Sequence, residues 1–507
     1  MEPTMRIIVN TGAQYAKAII NIGLMLYSTR IVLDALSISD YGIYAVVGGV
    51  VSMLGFITNA LVTTTQRYVS FHTGRNETDY VRRIFSNSLL LHILFASFIA
   101  IVLFFLKIWL FNGVLNIPSD RIPTAINVYY IAILMLCCTI ITAPFKALFV
   151  ARETIVYIAV VEVVDGILKL LFAIGLYYVS ADKLMVYASY MLLIQVLNLI
   201  AFALYAKLRF TECTLTIRRR VIDKNILSQL AGFAGWNTYS AGTTAARTQG
   251  ISVIINHFLG TAVNAAYGVA AQVHSSIAFV SSSIINAMNP QIMKAEGSGD
   301  RKKVLMLAGQ ESKFSVALLS MACIPLLMEL PSILQVWLKE VPENTAMFCT
   351  FTLMTCLCDQ FTIGLNAVNQ AQGRIRNYTL ITFTPKLLNI PMAWFVLLWG
   401  WPIEIIMWIM LVTETLMALF RLPYLKRTAG LDIAHFLRYY ILPVVPLIAT
   451  LVFVSWGCTQ LFHFKLRFIL TIIISLLCGG IVALFFTLNK NERDYVFSLI
   501  RNKAKKS

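Results

Sequence analysis

Glu162, Asp165 and Lys169 follow one another at spacings of three and four inside an apolar stretch, which lines them up along one face of a helix. Two chemistries suit such a face: an internally satisfied ion pair, or a site where a coupling proton or sodium ion is bound and released. Asp359 and Glu414, each in an apolar window of its own, are further candidates for that role. Lys17 and Arg247 also stand inside apolar stretches, with no acidic residue one turn away. A lysine or arginine at mid-helix costs about 2.5–3.5 kcal/mol to insert into a bilayer. A cation kept there without a partner invites an anion, and the flat guanidinium matches phosphate oxygens well. Arg30 belongs to the same set, although it lies nearer a helix end, where it can snorkel or pair with Asp34. Lys386, followed by Asn389 and Pro391, either lines a cavity or reaches the membrane interface.

Uncharged polar residues support a cavity. Asn10, Gln14, Lys17, Asn21 and Ser28 recur at helical spacing, as do Asn237, Ser240, Thr244 and Arg247. Ser52, Asn59, Thr63 and Gln66 form a third stripe, and Gln272, Ser275, Ser283 and Asn286 a fourth. Lipid cannot face such stripes, so they turn toward water or toward each other as packing contacts. Enzyme signatures are absent: the chain has no phosphate-cradling glycine loop, no paired-histidine zinc motif and no Ser-His-Asp spacing. The nine cysteines show no metal-ligand spacing, so the sequence predicts neither cofactor nor metal.

The elements that position these residues follow from composition. Of 507 residues, 58% are hydrophobic and only 13% charged, about half the ~25% charged content of a soluble domain. Windows of about 20 apolar residues recur some fourteen times, from 10–33, 43–65, 85–110, 125–148, 155–179 and 184–205 through 227–259, 262–288, 314–338, 346–371, 378–400 and 403–424 to 436–456 and 468–488. The sequence thus predicts an all-α polytopic membrane protein. The net charge of +17 marks topology: basic residues, among them Arg67, Arg75, Lys146, Arg152, Arg218, Arg219, Arg220, Lys313 and Arg421, gather in alternate loops and in the tail. Both termini are therefore expected in the cytoplasm. The basic segments lack interleaved stacking aromatics, so nucleic acid is not an expected partner.

An internal repeat is discernible. Asp40-Tyr41-Gly42-Ile43-Tyr44 lies against Ala266-Tyr267-Gly268-Val269-Ala270 in one register, and Ala151-Arg152-Glu153 falls near Gly373-Arg374-Ile375 with a small slip. A unit of six spans begins each time on the same side, which predicts two parallel-repeat lobes. The expected division is an N-terminal six-helix lobe over 1–206, a basic cytoplasmic linker over 207–226, a C-terminal six-helix lobe over 227–426, and two additional helices with a basic tail over 427–507.

The Asp40-Tyr41-Gly42-Ile43-Tyr44 turn after a polar first span, Gln66-Arg67 closing the second and the Ala371-Gln372-Gly373-Arg374 turn after the tenth resemble bacterial polysaccharide-biosynthesis membrane proteins. These are the O-antigen and lipid-linked oligosaccharide flippases of the multidrug/oligosaccharidyl-lipid/polysaccharide exporter superfamily. The resemblance covers essentially the whole chain. It implies a central cationic cavity and export of undecaprenyl-diphosphate-linked glycans across the inner membrane by alternating access. It also implies glycan polymerase and glycosyltransferases as partners. By helix and depth, Lys17, Arg30 and Arg247 are the cations that would line the lumen, with Asn10, Asn21, Asn59, Asn237, Gln272 and Lys386 as further substrate contacts. One rival is multidrug and toxin extrusion on the same architecture. The other is a membrane glycosyltransferase or glycan polymerase using Asp34 and Asp40 as an acidic pair.

Overall fold

The structure, a computed structural model, describes residues 3–36, 38–52, 54–114, 117–213, 222–338, 341–462, 464, 466–490 and 492–494. Arg218, Arg219 and Arg220 of the basic linker, Lys339, Lys465, and the tail cations Arg501, Lys503, Lys505 and Lys506 fall outside them, as do the side chains of Arg6 and Ser52. The described residues are helical with short connections and no strand. The chain forms two compact units, one comprising 1–242 and 293–299, the other 243–292 and 300–507.

In the first unit run α1 (Pro3–Leu36), α2 (Ile38–Ser52), α3 (Gly55–Gly74), α4 (Thr78–Trp109), α5 (Ile122–Ala151), α6 (Ile155–Gly175) and α7 (Lys183–Arg209). A long helix, α8 (Lys224–Gly297), follows and is broken only at Gly260, whose φ of 82° no helix adopts. Glycine reaches that conformation without a Cβ clash, and the break falls between the seventh and eighth apolar windows. In the second unit lie α9 (Arg301–Met328), α10 (Leu330–Trp337), α11 (Thr345–Gln360), α12 (Ile363–Gln372), α13 (Ile375–Leu387), α14 (Asn389–Leu398), α15 (Glu404–Ala429), α16 (Ile433–Phe436), α17 (Val445–Leu461) and α18 (Arg467–Val482).

Each of the fourteen windows thus finds a helix or a broken helix. The tenth splits into α11 and α12 with a bend of 51°. By length and composition, nine described helices suffice to cross a membrane, eleven if each of two bent pairs is one span. Helix starts are chemically marked. The Asp182, Asp223 and Asp300 carboxylates accept the otherwise orphaned amide donors at the heads of α7, α8 and α9.

Apolar residues are divided between two environments. In the first unit Val47, Leu61, Leu103, Val128, Tyr129 and Leu184 join one buried core. Phe105 and Trp109 of α4, by contrast, are each 64% exposed. So continuous an exposed apolar face suits hydrocarbon rather than water. Backbones also approach closely within this unit. A Cβ on Gly74 would collide with the Lys294 main chain, and one on Gly297 with that of Phe71. Small residues permit such approach in membrane helices.

Candidate functional site

Within the first unit, residues of α1, α2, α3, α5, α6 and α7 enclose a cavity of about 820 Å³, inside the roughly 300–1,000 Å³ of typical ligand sites. Its polar wall includes Asn21, Thr58, Asn59, Lys146, Glu162 and Asn198. Glu162 organises the charge. Lys17 Nζ donates to its Oε2 at 2.8 Å, and Lys146 Nζ to its Oε1 at 3.1 Å. One turn along α6, Asp165 pairs with Lys169 at 2.7 Å and accepts from the Asn198 amide at 2.7 Å. Three lysines therefore meet two carboxylates. Asn21 Oδ1 and Thr58 Oγ1 are buried without a hydrogen-bond partner among the described residues, which leaves the wall able to bond hydroxyl groups of a ligand. Phe202 adds an aromatic ring beneath the Lys146 ammonium, 5.2 Å away.

This arrangement corrects the sequence reading at two residues. Lys17 is ion-paired, with a partner on another helix that spacing along α1 cannot reveal. Lys146, counted above among the cytoplasmic cations, sits on the cavity wall because α5 continues to Ala151 and Glu162 compensates its charge. Buried Lys313 and Arg421 of the same basic set are likewise paired, with Glu492 and Asp359.

The remaining polar candidates of the first unit are dispersed. Asn59 lines the cavity. Asn10 Nδ2 donates to the Glu153 carbonyl at 2.9 Å, and Asn237 Nδ2 to Thr64 Oγ1 at 3.3 Å. Arg30 is exposed. Asp34 accepts from the Tyr177 hydroxyl at 2.5 Å, whereas Asp40 binds Arg121 at 2.8 Å. The two carboxylates have separate partners.

In the second unit a similar motif recurs on different helices. Arg247 Nη1 of α8 donates to Glu414 Oε2 at 2.8 Å, and Lys386 Nζ of α13 to Glu414 Oε1 at 2.6 Å. All three residues are buried. Arg247, read as partnerless, is therefore paired across helices, and Lys386 does not reach the interface. Nearby, Asp359 Oδ1 accepts from Arg421 Nη2 at 2.6 Å, and Arg421 also donates to Thr362 Oγ1 at 3.2 Å. Gln272 is exposed, its carbonyl accepting from the Ser275 and Ser276 hydroxyls. Among the described residues no three His, Cys, Asp or Glu side chains converge as metal ligands would.

No family profile and no curated protein matches the sequence. Solved structures do match the fold. A MOP superfamily transporter from Pyrococcus furiosus Vc1 (DSM3638), described as having a binding pocket of reverse polarity that suggests a different function, superposes with a TM-score of 0.72 at 12% identity, over 85% of this chain and 96% of its own. An outward-facing multidrug resistance MATE family transporter of the same superfamily gives 0.72 at 13%, over 85% and 96%. A MATE protein in its bent conformation gives 0.71 at 13%, over 85% and 98%. The chain has the MOP transporter fold. At such identity the likeness concerns architecture, and what the protein carries has to be argued from its own residues.

Proposed function

We propose that this protein is an inner-membrane exporter that moves an undecaprenyl-diphosphate-linked oligosaccharide to the far leaflet by alternating access, with both termini in the cytoplasm. The observation that carries this reading is the cavity of about 820 Å³ whose wall combines amides, hydroxyls and an aromatic ring with the Lys146 and Lys169 ammonium groups, each paired with a carboxylate. Sugars present hydroxyls to amides and flat faces to rings, and a diphosphate seeks cations. Two lobes, 1–206 and 227–426, with the basic linker 207–226 and the region 427–507 attached, would supply the alternating movement. In the first unit Lys17 would bind the anionic part and Asn21 and Asn59 the sugars; in the second unit Arg247 and Lys386 are the candidate anion contacts.

A second reading, drug extrusion, is favoured by the multidrug transporter among the structural neighbours. Its usual organic cations would need unpaired carboxylates, yet Glu162, Asp165 and Glu414 are each occupied by cations. The test is reconstitution in liposomes with a fluorescent undecaprenyl-diphosphate oligosaccharide, following protection of the head group. Protein-dependent movement supports the flippase reading. No movement with the cognate glycan and an imposed ion gradient, together with uptake of a cationic dye, would replace it by drug extrusion.

A further inference from the structure

The group around Glu414 has an uneven inventory. Arg247 and Lys386 carry two positive charges against one carboxylate, and each carboxylate oxygen already accepts from one of them. Arg247 directs a single nitrogen at Glu414, while its Nε is buried without a partner among the described residues. Asn389, one turn beyond Lys386, is 1% exposed; its Oδ1 accepts from the Thr413 hydroxyl at 3.0 Å, and its Nδ2 finds no partner among the described residues. Two buried donors and one positive charge are thus unmatched, and every one of these groups favours a further anion.

Purely structural ion pairing accounts poorly for this. Burying two cations on one carboxylate costs desolvation that the pairing must overcome, and a core of ordinary packing would avoid unsatisfied donors. A carboxylate and a phosphate group, however, present oxygens at similar spacing to a guanidinium. A phosphate that takes Arg247 Nη1 and Lys386 Nζ therefore competes with Glu414 for them.

We propose that Glu414 is a built-in competitor for the ligand's phosphate: it holds Arg247 and Lys386 until a diphosphate takes its place on them, with Asn389 Nδ2 as an added donor. This deepens the export reading above and rests on it for the identity of the ligand. It gives the site capture and release together. A bare pair of buried cations would hold a diphosphate tightly, whereas the tethered carboxylate lowers that affinity and pushes the ligand off again. The chemistry recognised is the diphosphate group, whether on a polyprenyl lipid or in a soluble compound.

The test is equilibrium binding of radiolabelled pyrophosphate to the purified full-length protein, with undecaprenyl diphosphate in mixed micelles as a parallel probe. Glu414→Gln should tighten pyrophosphate binding by about tenfold or more, and adding Arg247→Ala should abolish the gain. Asn389→Leu should weaken binding severalfold in either background. Should the Gln variant fail to fold, Glu414→Asp keeps the charge on a side chain too short to reach both cations, and binding should still tighten severalfold. Unchanged or weaker binding in whichever folded Glu414 variant is measured would overturn the proposal. A matching response to both probes shows that the diphosphate is what is read, and a response to the lipid alone assigns the lipid head group. Lipid movement in liposomes with binding of both probes unchanged by the Glu414 variants refutes this inference and leaves export standing; tightened binding without lipid movement refutes export and leaves the anion site.

Discussion

Arg247 and Glu414 are 167 residues apart in sequence and 2.8 Å apart in space. Their pairing joins α8 to α15, with Lys386 of α13 on the other carboxylate oxygen. Removing one member of a buried pair leaves the other uncompensated, at a cost of about 3–5 kcal/mol. Arg247→Ala should therefore lower thermal stability in detergent measurably, and Arg247→Met with Glu414→Gln should recover part of the loss. Additive losses in the double variant would argue against direct coupling.

Lys146 tests the cavity of the first unit. Its ammonium shares Glu162 with Lys17 and lies on the wall. Lys146→Ala should reduce glycan-lipid movement by about tenfold, the scale of one lost charge-assisted contact, with a thermal midpoint close to wild type. An equally large fall in the midpoint would assign Lys146 to structure alone.

Arg121 bridges Asp40 and Asp182 at 2.8 Å each, between the elements that precede α5 and α7. Burial pushes the Asp182 carboxyl up, but hydrogen bonds from Arg121, the Met185 amide and Thr124 outweigh it and hold its pKa below the ordinary 3.8. A depressed carboxylate stabilises the fold above its unfolded pKa, and that contribution is lost as pH falls through the folded value. Acid unfolding should therefore include a component below about pH 4 that Asp182→Asn removes. An unaltered acid limb in that variant would contradict the assignment.

Arg467 reaches back from the head of α18 to Glu329, meeting its carboxylate at 2.9 Å, while the Thr471 hydroxyl donates to the same group at 2.8 Å. Glu329 is fully buried. Arg467→Ala should destabilise the second unit by about 3 kcal/mol or more, seen as a lower unfolding temperature and faster proteolysis near α18. A protease pattern like that of wild type would count against this anchor.

Gly74 and Gly297 are steric tests. Either one changed to Ala forces a methyl group into main chain, and overpacking of this kind costs about 1–3 kcal/mol. Both variants should express less and melt earlier. Unchanged melting would mean that the helices part without cost.

Much of the architecture was legible because a bilayer imposes a simple rule on composition. Every apolar window found helix, and even the turn at Gly260 fell in the gap between the seventh and eighth windows. The site was less legible because its partnerships are long-range. Spacing along α6 aligned Glu162, Asp165 and Lys169, and the Asp165–Lys169 pair is of that local kind. No spacing could show that Glu162 faces Lys17, 145 residues away. Lys146 and Arg421 misled for a related reason. Near the ends of apolar windows a cation looks like part of a cytoplasmic loop, and only the compensating carboxylate of another helix reveals that it is inside. Asn389 and Asn198 carried no signal beyond being polar in an apolar stretch.

The depth at which these ion pairs lie also decides how the protein responds to its surroundings. Arg83 pairs with Asp223 at a place where its side chain is 47% exposed, so dissolved electrolyte reaches it. Arg247, Lys386 and Glu414 expose a tenth or less of their side chains. Mobile ions weaken attraction beyond roughly 8 Å at physiological strength, and then chiefly where water penetrates. In brine or in dilute medium the buried clasp should keep nearly the same grip, while exposed contacts slacken and tighten with ionic strength. Changing salinity would thus leave the buried ion pairs of the second unit as they are and be felt at exposed pairs such as Arg83–Asp223.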